Sequence, residues 1–117
     1  MPVAETLLIA HLKVKATDLG VPAGNIASKL VAGRPAVRVT RIGGQPERGE
    51  DRPVLSCECW APDDYSAALL ASKIVAVMPD IIGTQVRGWS PATGPVSRPD
   101  TDGSPRFVVD VELLVYP

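Results

Sequence analysis

The side chains able to do chemistry are few, and they do not fall at the spacings that chemistry needs. A single histidine, His11, lies in an apolar-periodic segment near the start of the chain. A general base needs a nucleophile or carboxylate within hydrogen-bond reach; no motif supplies one, so an ordinary helix-face role is expected. The two cysteines form Cys57-x-Cys59. On a strand both thiols point to one face with Cα atoms about 6.5–7 Å apart, at or beyond the reach of a disulfide. Zinc needs about four ligands, and only one histidine could join the two thiolates. Buried, reduced structural cysteines are therefore the expectation. Gly43-Gly44 lacks the spacing of a phosphate-cradling loop, and no Lys-Ser/Thr pair follows it. Asp100-Thr101-Asp102-Gly103 is similar to the opening of a calcium loop, but Pro105 and Phe107 stand where oxygen donors belong and no glutamate closes it. Asp-Gly reads instead as a turn. Neither a catalytic residue nor a metal or cofactor is expected, and the chain reads as a non-enzyme. Trp60 and Trp89 could each anchor an interface or fill the core.

Composition points the same way. A length of 117 residues suits one domain spanning 1–117. Twelve basic and thirteen acidic side chains give a net charge of −1, without the basic excess of a nucleic-acid binder. Apolar runs such as 7–10 and 75–79 are too short to span a bilayer, so no membrane partner is expected. No basic segment followed by an apolar stretch and a small-residue cleavage site opens the chain, so folding in a cytoplasm is expected.

The elements that would position these groups follow from periodicity. Residues 2–17 read as one helix, with Ala4, Leu8, His11, Leu12 and Lys15 on one side and Leu7 and Val14 widening the apolar stripe. Gly20 and Pro22 stop it. Residues 25–31 read as a short strand or irregular chain. From Val37 the period becomes two: Val37, Val39 and Arg41 alternate with Arg38, Thr40 and Ile42. A charged loop, 43–52, leads to a second strand, 54–60, with Leu55, Cys57 and Cys59 on one face and Ser56, Glu58 and Trp60 on the other. These two strands are expected to pair as an antiparallel hairpin. An aspartate of Asp63-Asp64 can cap a helix running to Met78, with Ala67, Leu70, Ala71, Ile74, Val77 and Met78 buried. Residues 85–89 read as a short strand. The strongest strand is 106–116, with Phe107, Val109, Val111, Leu113 and Val115 facing inward. Ser90 to Arg106, with four prolines, reads as a structureless arm or hairpin tip ordered by a neighbour. The predicted fold class is α+β: a small, mainly antiparallel sheet with two helices on one face and long hairpin loops. An exposed sheet edge would be a template for pairing with another copy.

Several segments together resemble one family. Pro35-Ala36-Val37-Arg38-Val39-Thr40-Arg41-Ile42-Gly43-Gly44, then Asp51-Arg52-Pro53 leading to Glu58-Cys59-Trp60-Ala61, look like the central hairpin of phage tail terminator proteins of long-tailed actinobacterial phages and prophages. The alanine-rich helix, Gly83-Thr84-Gln85-Val86, and the run Gly94-Pro95, Pro99-Asp100 and Gly103-Ser104-Pro105-Arg106-Phe107 extend the similarity over nearly the whole chain. These motifs are structural. The 43–52 loop departs from the pattern, with Pro46 and a dense charge cluster.

The resemblance implies a hexameric ring on the finished end of the tail tube. Such a ring stops tube growth and offers the joining surface to the head-side connector, while DNA passes its lumen without sequence recognition. The place of action would be the head-proximal end of the tail in the virion, after assembly in the host cytoplasm. In such a ring Arg48, Glu50, Asp51 and Arg52 are expected to contact tube or connector subunits. Arg98, Asp100, Asp102 and Arg106 are expected to contact a neighbouring copy. Another head–tail connector or minor tail component is the alternative within the class. A small-ligand or enzymatic domain would have only His11, Cys57 and Glu58 to build on.

Overall fold

Around one long β-hairpin the rest of the chain is arranged. The computed structural model describes residues 3–30, 33–44, 46–47, 50–83 and 85–116. Strand β2 (Ala36–Gly43) pairs antiparallel with β5 (Val54–Trp60), and the two-residue strands β3 (Pro46–Glu47) and β4 (Glu50–Asp51) carry the same hairpin further outward. Residues 43–52, expected to be a loop, thus hold paired strand at 46–47 and 50–51 beyond a kink; 45, 48 and 49 lie outside the described residues. The kink has a steric cause. Gly44 has φ +89°, and a Cβ there would lie 2.1 Å from the Arg52 carbonyl oxygen, so only glycine lets the strands cross this closely.

Strand β7 (Arg106–Val115) pairs with β5 on one side and with β6 (Val86–Ser97) on the other. Past Pro53, whose carbonyl accepts from the Leu113 amide at 3.0 Å, β4 continues along β7 with Asp51 opposite Val115. A short strand β1 (Ile26–Ala27) lies parallel to β2, so the sheet has seven strands, all but that one pair antiparallel. The short-strand reading of 25–31 is met at these two residues; 31 and 32 lie outside the described residues.

The expected structureless arm, 90–106, is instead mostly strand. β6 runs through Pro91 and Pro95 as an edge strand with three register shifts. Proline cannot donate to a ladder, and bulges bend the strand, so this edge is poorly suited to pairing with another chain. Only residues 98–105 leave the sheet, in a turn closed by the Gly103 amide donating to the Asp100 carbonyl at 2.8 Å.

Helix α1 (Val3–Val14) ends earlier than expected; after Lys15 a separate turn, α2 (Ala16–Leu19), runs to Gly20, whose φ of +73° caps it in the left-handed region. The break at Lys15 turns Val14 outward, leaving it 80 % exposed where the periodicity placed it on the apolar stripe. Helix α3 (Asp64–Val77) begins as expected, with Asp63 Oδ1 accepting from the Ser66 amide at 2.7 Å. Single-turn 3₁₀ segments follow α2 at Ala23–Asn25 and α3 at Met78–Ile81.

Both long helices cover one face of the sheet. Ala4, Leu8 and Leu12 of α1 and Leu70, Ala71 and Ile74 of α3 meet Val37, Val39, Leu55, Cys57, Cys59, Val109, Val111 and Leu113 in one core. The α+β reading, with helices on one face of a mainly antiparallel sheet, holds.

Candidate functional site

Everything buried by the helices is spent on packing. His11 Nε2 donates to the Val77 carbonyl at 2.8 Å, tying α1 to the end of α3. Cys57 and Cys59 are fully buried free thiols. Burial pushes the Cys57 thiol from 9.0 up to about 12, and pushes Cys59 well above its ordinary value. Neither supplies a thiolate near neutral pH. Among the described residues, no group of three or more His, Cys, Asp and Glu side chains is placed to hold a metal ion, and no helix is long and apolar enough to cross a membrane.

The other face of the sheet carries no helix, and its strands alternate so as to present polar side chains there. Register places Arg38 opposite Glu58, and Glu58 opposite Val108. Glu58 accepts from both flanking arginines: Arg38 Nε at 2.6 Å on Oε1 and Arg106 Nη1 at 2.9 Å on Oε2. Each carboxylate oxygen thus takes one guanidinium, and together they brace three strands. Trp60, next to Glu58 at the end of β5, is only 2 % exposed although it lies on this uncovered face. Arg34, Arg38 and Arg106 cover its ring at 5.3, 5.7 and 5.6 Å from the centroid. Its Nε1 donates to Asp100 Oδ2 at 3.0 Å, fixing the 98–105 turn against β5. The backbone amide of Thr101, with the Trp60 hydrogen bond second, holds the Asp100 carboxyl below its ordinary range. Beside this cluster an open trough of about 610 Å³ runs over Arg38, Thr40, Ser56, Glu58, Arg98 and Asp110.

A second cluster sits where the hairpin kinks. Arg41 grips the Asp51 carboxylate with both terminal nitrogens, at 2.8 and 2.9 Å, while donating to the Gly43 and Gly44 carbonyls at 3.2 Å. One guanidinium therefore closes the crossing that Gly44 opens. That hydrogen bonding holds Asp51 below the ordinary carboxylate range. Arg52 Nε stands 3.0 Å from Glu50 Oε2, in ion-pair range but without hydrogen-bond geometry.

Of the residues predicted to make contacts, Arg48 lies outside the described residues. Glu50, Asp51 and Arg52 are drawn together at the kink. Asp100 and Arg106 come together around Trp60, whereas Asp102 caps the Ser104 amide at 2.9 Å and Arg98 extends from the end of β6. Arg38, Arg41 and Asp110 were not singled out by sequence. The hairpin register, once written down, puts Arg38 against Glu58 on the polar face and would have found that pair.

The chain matches no family model and no curated protein.

Proposed function

We propose that the chain is a structural virion protein that caps a completed phage tail tube as a hexameric ring, ending tube polymerisation and forming the surface joined by the head-side connector. The observation supporting this reading is the 36–60 hairpin. Its β3 and β4 end continues beyond a glycine crossing that Arg41 and Asp51 hold closed. A hairpin whose crossing is braced within the chain has less backbone left to order when it meets a partner. Glu50 and Arg52 ride on it toward tube or connector subunits. The proline-broken β6 edge directs contacts between copies to side chains rather than to strand addition. DNA passing the lumen would meet a chain of net charge −1, suited to transit without sequence recognition.

Removal of the protein during particle assembly tests the reading. Over-long tubes are expected. Tubes of normal length detached from heads would assign the chain to a head–tail connector instead and overturn termination.

A further inference from the structure

Two charges on the uncovered face lack partners among the described residues. Asp110 Oδ1 is buried with no hydrogen-bond partner, and Arg98, exposed at the end of β6, makes no side-chain hydrogen bond or ion pair there. Both line the same trough. Oδ1 is shielded by the chain itself, so a group from outside can meet this carboxylate only at Oδ2, which is not shielded. An ionised carboxylate with neither oxygen paired gains from a cation brought to that atom. The neighbouring cations do not serve, since Arg38 and Arg106 are both committed to Glu58.

The register sets the geometry. The Arg98 amide bonds the Arg106 carbonyl, which places Arg98 beside the Arg106 row. Asp110 lies four residues further along β7, opposite Ser56, and the half-buried Val108 sits between the two rows. Arg98 and Asp110 are thus separated by about 13 Å along the strand, symmetrically about Val108. A two-fold axis lying in the interface and crossing the strands at the Val108 row would set each copy's Arg98 over the other's Asp110.

We propose that this face pairs two copies of the chain isologously, with Val108 at the centre and two reciprocal Arg98–Asp110 ion pairs flanking it. Such an interface is self-complementary because each residue meets the other's counterpart twice. The pairing is independent of the capping reading. A two-fold contact cannot by itself close a ring, so it is additional to any head-to-tail contacts in one.

Sedimentation velocity on the full chain and its charge-reversed variants tests the pairing. The native chain is expected to dimerise at about 100 µM in low salt and to weaken as salt rises. Arg98→Asp and Asp110→Arg should each weaken dimerisation by about 100-fold or more, since each sets like charges face to face. Mixing these two variants should restore a heterodimer, because both cross-pairs are then opposite in sign. Circular dichroism of each variant confirms folding, and Arg98→Ala offers a milder loss should either reversal fail to fold. A native chain monomeric at that concentration, single reversals without effect, or a mixture that stays monomeric would overturn the proposal.

Discussion

Trp60 and Asp100, forty residues apart, are joined by a 3.0 Å hydrogen bond that fastens the 98–105 turn to the end of the central strand. The indole would otherwise bury an N–H without a partner on the uncovered face. Asp100→Ala is therefore expected to destabilise the fold by about 1–2 kcal/mol and to shift Trp60 emission. Chemical denaturation followed by tryptophan fluorescence in a Trp89→Phe background reads both effects. Unchanged emission and stability would show that the bond is not populated in solution.

Glu58 separates two arginines that would otherwise stand side by side over Trp60. Glu58→Gln keeps the shape and removes the charge, leaving Arg38 and Arg106 to repel. A loss of about 1–3 kcal/mol is expected, measurable by urea denaturation. Adding Arg38→Gln to that variant should recover part of it, because the repulsion then ends.

The glycines separate crowding from simple backbone preference. Gly44→Ala should cost about 2–4 kcal/mol, since its Cβ would meet the Arg52 carbonyl at 2.1 Å. Gly20→Ala and Gly103→Ala also force a left-handed alanine, but nothing lies within 4 Å of either Cβ. About 1 kcal/mol is expected there. Thermal melts of the three variants give the ranking.

How much of this was legible in the sequence follows from which interactions are periodic. The inward faces of β5 and β7 were readable because Leu55, Cys57, Cys59 and Val109, Val111, Leu113 alternate strictly. The start of β6 was read as a short strand at 85–89, but its continuation to Ser97 was not, because Pro91, Pro95 and Gly94 mark loops in most settings, and only tertiary pairing with β7 accommodates them through bulges. The break after Val14 left no local mark, since Lys15 and Ala16 are both good helix formers. At the candidate surface the charges were visible but their partners were not. Arg41 with Asp51, and Asp100 with Trp60, depend on strand crossing and turn geometry that appear only in three dimensions.

Two pH limits follow from the buried and paired groups. Burial raises the Cys57 thiol above its unfolded value, so the stability it contributes is complete below about pH 9 and is lost as pH climbs toward about 12. Cys57→Ala should flatten that alkaline decline, and the native thiols should resist a thiol reagent until the chain unfolds. Asp51 is shifted the other way, below its unfolded value. Its contribution is present above about pH 4 and lost as pH falls through the folded value, discounted by its partial exposure. Asp51→Asn should flatten the acid side of a stability–pH profile.

Tube length tests the capping reading most directly. The cognate tail tube protein is polymerised with and without the purified chain, and lengths are measured by negative-stain microscopy. Arrested elongation with a ring of density at one tube end is expected at amounts far below those of the tube protein. Tubes that grow to the same lengths with bare ends, whatever the amount added, would contradict it.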